Sequence, residues 1–140
     1  MTHDRSDRHD RDERGAIAPG PMGFGAAPLG NLFARVSDEV ALETVSAAWD
    51  AGIRYFDTAP FYGAGLSETR LGRALARYPR DAFVVSTKVG RLLVPDASVP
   101  EVHNGFVGGL PFRVEYDYSG DGARRSLEAS LKRLGTDRID

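Results

Sequence analysis

The sequence contains no cysteine, which excludes disulfide bonds, thiolate zinc sites and thiol catalysis and is consistent with a reducing compartment. No apolar run approaches the roughly 20 residues that a membrane-spanning helix requires, and the first residues contain no apolar stretch of the signal-peptide kind. An excess of one charge is also missing, because the formal net charge is -2. We therefore expect a cytoplasmic protein whose partners include neither nucleic acid nor a membrane.

The composition is otherwise that of a globular domain, with 41% hydrophobic and 27% charged residues over 140 positions. Residues 1–20 differ from the rest, because aspartate and arginine alternate there and apolar residues are scarce before Ala16. Such a segment buries too little surface to offset the entropy of ordering it. We predict a disordered charged tail over residues 1–20 and a folded domain over residues 21–140.

Three short apolar runs predict β-strands, at residues 22–27, 53–56 and 83–87. Helix-like segments separate these runs, so the order of elements predicts an α/β protein with a parallel sheet, either doubly wound or a (β/α)8 TIM barrel. Residues 137–140 look like the approach to a fourth strand. Because such a barrel typically needs about 250 residues, we expect an incomplete N-terminal portion of about three βα units.

Capping residues mark the boundaries of the helices. Ser37 is the predicted N-cap of the first helix, and Gly52 follows its end. Ser67 is the predicted N-cap of the second helix, where Leu66 and Leu71 have the spacing of a hydrophobic staple. The third helix ends at a glycine and is predicted from a buried stripe and one surface ion pair: Ala123, Leu127, Leu131, Leu134 and Gly135, with Glu128 and Lys132.

Three polar residues fall near the ends of predicted strands, at one edge of the sheet. Asp57 closes the second strand, Tyr62 lies in the loop after it, and Lys88 closes the third strand. Catalytic groups meet a parallel sheet at the carboxyl ends of its strands. A tyrosine ordinarily titrates near pH 10, a neighbouring ammonium favours its phenolate, and a carboxylate keeps that ammonium charged and in place. The three residues together predict a general acid/base that protonates a carbonyl oxygen as hydride reaches the carbon.

Each of the three residues also has an ordinary structural explanation. Asp57 is typical of a turn cap, Tyr62 of a half-buried loop aromatic and Lys88 of an exposed strand end. Their placement at matching strand ends favours catalysis over three coincidences, and a flavodoxin-like sheet leaves that placement unexplained. A Rossmann dehydrogenase is set aside, because Pro28 stands where the glycine motif requires a third glycine or an alanine.

These motifs resemble the aldo-keto reductase superfamily over residues 21–140. The similar stretches are residues 52–63 (GIRYFDTAPFYG), then SE at 67–68 and LG at 71–72, then 86–90 (STKVG) and 126–140. Within the family, the chain looks most similar to bacterial aldose and fucose dehydrogenases and to pyridoxal dehydrogenases. The resemblance implies an NAD(P)-dependent enzyme that interconverts a small carbonyl or sugar substrate and an alcohol, including oxidation of a sugar at its anomeric carbon.

The resemblance also implies roles for individual residues. Tyr62 is the expected general acid/base, Lys88 its partner, and Asp57 the carboxylate that pairs with the lysine near the nicotinamide ribose. Gly25 and Ala26 match the end of the first strand, where the family's backbone approaches NADP or NAD. No residue is expected to bind a metal.

Two further expectations follow from the family resemblance. Glu68 is expected to support the site without reacting. Residues 90–118 have no clear period and occupy the position of a substrate-pocket loop. Its candidate lining residues, which could equally pack beneath the loop, are Phe106, Phe112 and Tyr116.

The family's catalytic histidine follows its fourth strand, and its main cofactor-phosphate and nicotinamide-stacking residues come from later strands and loops. His103 is no substitute, because it lies in the third βα loop. We therefore expect the 140-residue chain by itself to be inactive. The alternative to an enzyme is a truncated, non-catalytic product or a barrel portion that binds a partner, and an in-frame continuation encoding a strand that ends in histidine would favour the enzyme.

Overall fold

The computed structural model describes residues 20–140. The charged tail predicted for residues 1–20 lies outside these residues, except for the exposed Gly20. The described residues have the predicted order of strand, helix, strand, helix, strand and helix, but the long loop predicted before the last helix contains further strands. Within this part of the chain, no helix is long and apolar enough to cross a membrane.

The central sheet has three parallel strands in the order β1-β2-β3. They are β1 (Phe24–Gly25), β2 (Tyr55–Asp57) and β3 (Val84–Ser86), and each lies within or directly beside its predicted run. Their carboxyl ends are level, because Gly25 pairs with Asp57 and Asp57 pairs with Ser86. This register brings the segments that follow the three strands to one edge of the sheet.

Three helices accompany the sheet: α1 (Asp38–Asp50), α2 (Leu66–Leu75) and α3 (Gly120–Leu134). The predicted cap of α1 is confirmed, because the Ser37 hydroxyl accepts a hydrogen bond from the Val40 amide at 3.1 Å. The predicted end of α3 is confirmed too, because Gly135 caps it in the left-handed conformation with φ 65°.

The start of α2 differs from the prediction. Its N-cap is Gly65, with φ 94°, and Ser67 lies inside the helix and is fully buried. Leu66 is therefore the first helical residue, so it does not take the position before the cap that a hydrophobic staple requires. The prediction failed because the Ser67 hydroxyl bonds to other strand ends instead of to its own helix.

The buried face of α3 is shifted by about one residue from the predicted stripe. The buried residues are Gly122, Ser126, Ser130 and Leu134, while Leu127 is 36% exposed. Small residues are favoured on this face because neighbouring chain approaches closely, as where the Ser126 hydroxyl bonds to the Arg91 carbonyl oxygen at 3.2 Å. Glu128 forms its ion pair with Arg124 at 2.8 Å and not with Lys132 as predicted.

Residues 90–118 are not the irregular loop that their lack of a clear period predicted. They form an antiparallel pair, β4 (Arg91–Pro95) with β7 (Phe112–Tyr116), and a smaller pair, β5 (Val102–His103) with β6 (Phe106–Val107). Valine, leucine and aromatic side chains suit such strands. The signal was weak because glycine and proline interrupt it and the strands are short.

The core lies between the sheet and the helices. Its largest fully buried apolar side chains are Phe56, Leu71 and Val45, which come from β2, α2 and α1. Beyond β3, the Asp140 amide donates to the Val85 carbonyl oxygen at 3.1 Å, and the Val85 amide donates to the Asp140 carboxylate at 3.0 Å. The backbone amide and carbonyl of Val85 point away from β2. Residues 137–140 therefore reach the edge of β3 that β2 does not occupy, where a fourth strand would pair.

We predict that Gly72→Ala destabilises the protein by about 1–3 kcal/mol, because helix α2 touches the end of α3 at this glycine. A Cβ atom at position 72 would lie 2.2 Å from the Leu134 carbonyl oxygen, which belongs to the backbone. Gly120→Ala is the matched control, since a Cβ there meets open space. Urea unfolding of the protein that contains this chain gives the free energy of unfolding of each variant. Equal values for the two variants would contradict this packing.

Candidate active site

An ion pair joins the ends of β2 and β3. Lys88 Nζ donates to Asp57 Oδ2 at 2.8 Å and to the Thr58 carbonyl oxygen at 2.8 Å. The Ser86 hydroxyl donates to Asp57 Oδ1 at 2.7 Å, and Tyr55, whose hydroxyl lies 2.9 Å from that of Ser86, therefore donates to Ser86. Both oxygens of the Asp57 carboxylate are thus held, one by a cation and one by a hydroxyl.

The environment of Lys88 favours its charged form. Desolvation lowers the pKa of Lys88, but the hydrogen bond to Asp57, the interaction with Tyr62 and the negative charge of Asp57 outweigh it, so the pKa is raised above its ordinary value of 10.5. A raised pKa stabilises the folded state fully below pH 10.5, and that contribution is lost as the pH rises through the folded value. At neutral pH, Lys88 is therefore an ammonium held in place.

Tyr62 lies beside this ammonium. Lys88 Nζ is 5.0 Å from the centre of the Tyr62 ring, and the half-buried ring packs against Phe106, with 6.0 Å between ring centres. Gly30 allows the loop after β1 to press against the tyrosine backbone, since a Cβ there would lie 2.6 Å from the Tyr62 carbonyl carbon. The phenol, the ammonium and the carboxylate predicted from the sequence do come together.

The end of β1 offers an open surface next to this group. Gly25 is exposed, and a Cβ at this position would meet nothing within 4 Å. Ala26 is fully buried, its amide donates to the Asp57 carbonyl oxygen at 2.8 Å, and its own carbonyl oxygen accepts from the Ser67 hydroxyl at 2.6 Å. A ligand can therefore approach the backbone at Gly25, while Ala26 anchors that strand end to its neighbours.

The predicted pocket-lining residues of segment 90–118 take different positions around the site. Phe106 is buried and packs against both Phe61 and Tyr62, Phe112 is half-buried, and both line a cavity of about 110 Å³. Tyr116 is 61% exposed, and the Arg91 guanidinium lies 5.5 Å from its ring centre. His103 lies between β3 and α3, as the sequence predicted, but in the short strand β5 and not in a loop.

Several polar residues near the site were not identified from the sequence. Ser86 and Tyr55 orient Asp57. A neighbouring hydrogen-bonded group consists of the buried Thr58, Ser67 and Glu68 and the half-buried Thr87 and Arg133. The sequence singled out only two members of this group, because Ser67 was predicted as a cap and Glu68 as a supporting residue. Among the described residues, no group of histidine, aspartate and glutamate is placed to hold a metal ion.

We predict that Asp57→Asn lowers the pH at which Lys88 loses its proton. The variant removes the negative charge that raises the pKa of Lys88 and leaves the desolvation that lowers it. NMR titration of the protein after ¹³C-methylation of its lysines would follow this group. Asp50→Asn, at the far end of α1, is the control and should not move the Lys88 signal; an unchanged titration in Asp57→Asn would show that the ion pair does not form in solution.

Comparison with known proteins identifies the family. Residues 21–140 match the model of the aldo/keto reductase family. D-threo-aldose 1-dehydrogenase from Pseudomonas sp is 53% identical over 123 residues, which are 85% of this chain and 37% of that protein. Pyridoxal 4-dehydrogenase from Microbacterium luteolum is 45% identical over 128 residues, again 85% of this chain and 37% of that protein.

Solved structures agree with the sequence comparison. The glycerol dehydrogenase of Gluconobacter oxydans superposes with a TM-score of 0.63 at 33% identity, over 84% of this chain and 33% of that one. This chain spans little more than a third of the length of the two curated relatives, D-threo-aldose 1-dehydrogenase and pyridoxal 4-dehydrogenase. The chain belongs to the aldo/keto reductase family, and its described residues form the first three βα units of a (β/α)8 barrel.

Proposed function

We propose that the protein containing this chain is an NAD(P)-dependent oxidoreductase in which Tyr62 is the general acid/base. The observation that carries this proposal is the Lys88–Asp57 ion pair beside the Tyr62 ring, at the carboxyl edge of the parallel sheet. Active sites of (β/α)8 barrels lie at this edge. Membership of the aldo/keto reductase family supports the reaction class and the choice of NADP or NAD as cofactor.

The cofactor proposal is consistent with the surface at the end of β1. Gly25 leaves the backbone open for a flat ligand, and the Asp57 carboxylate is close by, because the two residues pair across the strands. A bound nicotinamide supplies or accepts the hydride. Asp57 and Gly25 are the residues of this chain that we expect to lie nearest to it, and Ala26 fixes their relative position.

Tyr62 carries the proton in this mechanism. In the reductive direction the phenol donates its proton to the carbonyl oxygen as hydride reaches the carbonyl carbon, giving an alcohol and a phenolate. In the oxidative direction the phenolate removes the hydroxyl proton as hydride leaves the same carbon. Lys88 stabilises the phenolate in both directions because its ammonium lies against the tyrosine ring, and Asp57 holds the ammonium there.

For the substrate, we propose a sugar that is oxidised at its anomeric carbon. The carbon–hydrogen bond at that carbon breaks as hydride departs, the hydroxyl proton passes to Tyr62, and the product is a lactone. The support is the 53% identity to a protein named D-threo-aldose 1-dehydrogenase. Pyridoxal, which the 45% identical relative is named for, is the substrate to compare with it.

A non-catalytic barrel portion is the second candidate. The chain spans 37% of the length of its two curated relatives, so the remaining parts of the active site lie outside this comparison. Turnover of an aldose or pyridoxal by the full-length protein, with either nicotinamide cofactor, separates the two candidates.

We predict that Tyr62→Phe lowers kcat by about 100-fold or more and leaves cofactor binding unchanged, because the variant removes only the proton donor. Tyr78→Phe is the matched control, since Tyr78 stacks on Trp49 in the core, with 3.8 Å between ring centres, and should keep full activity. Steady-state kinetics and fluorescence titration with NADPH and NADH measure the two effects. Undiminished turnover in Tyr62→Phe would refute the assigned role.

A further inference from the structure

Two polar residues in the first turn of α2 are completely buried. Ser67 and Glu68 each have an exposed fraction of 0%. Burial of a carboxylate is costly unless the group is paired and hydrogen-bonded. The partners of these two side chains therefore indicate what the first turn of α2 does in the fold.

Glu68 connects β3 to α3. The Thr87 hydroxyl donates to Glu68 Oε1 at 2.7 Å, and Arg133 Nε donates to Glu68 Oε2 at 2.5 Å. The Arg133 side chain is only 19% exposed, and it also donates to the Ser130 hydroxyl at 3.1 Å. The guanidinium balances the buried carboxylate charge, so the second oxygen of Glu68 is free to hold the threonine.

Ser67 connects β1 and β2. Its hydroxyl donates to the Ala26 carbonyl oxygen at 2.6 Å and lies 2.9 Å from the Thr58 hydroxyl. Because its one proton goes to Ala26, Ser67 accepts its second bond from Thr58. This serine thus fastens the two strand ends that carry Gly25 and Asp57.

The three residues that Ser67 and Glu68 bond lie at equivalent positions, directly after the three parallel strands. Ala26 follows β1, Thr58 follows β2, and Thr87 lies one residue beyond β3. The register of the sheet aligns these ends, and the residue next to Thr87 is Lys88. One turn of α2 therefore bonds to the end of every strand of the parallel sheet that the described residues form.

We infer that Glu68 is a positioning residue for the reaction proposed above, and this inference rests on that proposal. Through Thr87, Glu68 fixes the end of β3 so that Lys88 Nζ reaches both Asp57 and the Thr58 carbonyl oxygen. The fixation matters because the lysine stem is flexible and its side chain is 49% exposed. A loosened strand end would allow the ammonium to leave Asp57 for solvent.

The direct test is Thr87→Val in the full-length protein. This substitution preserves the shape of the side chain and the Glu68–Arg133 pair and removes only the hydroxyl that ties β3 to Glu68. We expect kcat to fall about tenfold, since small displacements of catalytic groups are costly, while KM for the cofactor stays unchanged. The NMR signal of Lys88 should titrate at lower pH, because its contact with Asp57 is less populated.

Two further variants make this test specific. Thr87→Ser retains the hydroxyl and should restore both kcat and the Lys88 titration. Thr69→Val is the matched control, because the Thr69 hydroxyl bonds only to the Gly65 carbonyl oxygen within the start of α2, and this variant should behave like the unmodified protein. Should Thr87→Val fail to fold, Thr87→Ala removes the same hydroxyl, keeps the Glu68–Arg133 pair and is measured in the same way.

A purely structural role would give a different result. Thr87→Val would then unfold at a lower temperature but show the unmodified kcat and an unmoved Lys88 titration, and that outcome would overturn the inference. The Lys88 titration does not depend on turnover, so it tests positioning even if the reaction is misassigned. Retained turnover in Tyr62→Phe would instead count against the proposed function.

Discussion

The salt bridge between Lys88 and Asp57 is the interaction on which the site depends. It joins residues 31 positions apart, at the ends of two parallel strands, and its ammonium also bonds to the Thr58 carbonyl oxygen. A half-exposed ion pair contributes little to stability by itself, because solvent screens it and two side chains must be ordered. Its importance is geometric: it places one positive charge beside the phenol of Tyr62.

Surrounding hydrogen bonds give that pair a fixed geometry. Ser86 holds the second oxygen of Asp57, and the first turn of α2 holds the residues next to both partners. Among the described residues, no buried side-chain nitrogen or oxygen lacks a hydrogen-bond partner. A fully bonded buried network of this kind favours one arrangement of the strand ends, because any rearrangement leaves a buried polar group unpaired.

The sequence predicted the meeting of Asp57, Tyr62 and Lys88 at one edge of the sheet, for a physical reason. Their proximity follows from their positions at or after the ends of neighbouring parallel strands, and the caps at Ser37 and Gly135 follow from local backbone chemistry. The features that were missed depend on contacts between distant residues: the use of Ser67, the buried face of α3, and the pairing of β4 with β7. No local pattern specifies which distant group a buried hydroxyl will meet.

A double-mutant cycle on kcat/KM tests the central claim most directly. The kcat/KM values of Asp57→Asn, Lys88→Met and the double variant would be compared in the full-length protein, with an aldose or another carbonyl substrate that the unmodified protein converts. If the two residues act on Tyr62 as one unit, each single change costs about 100-fold or more, and the double variant is no worse than the poorer single one. Losses that multiply in the double variant would show independent roles and would contradict the account.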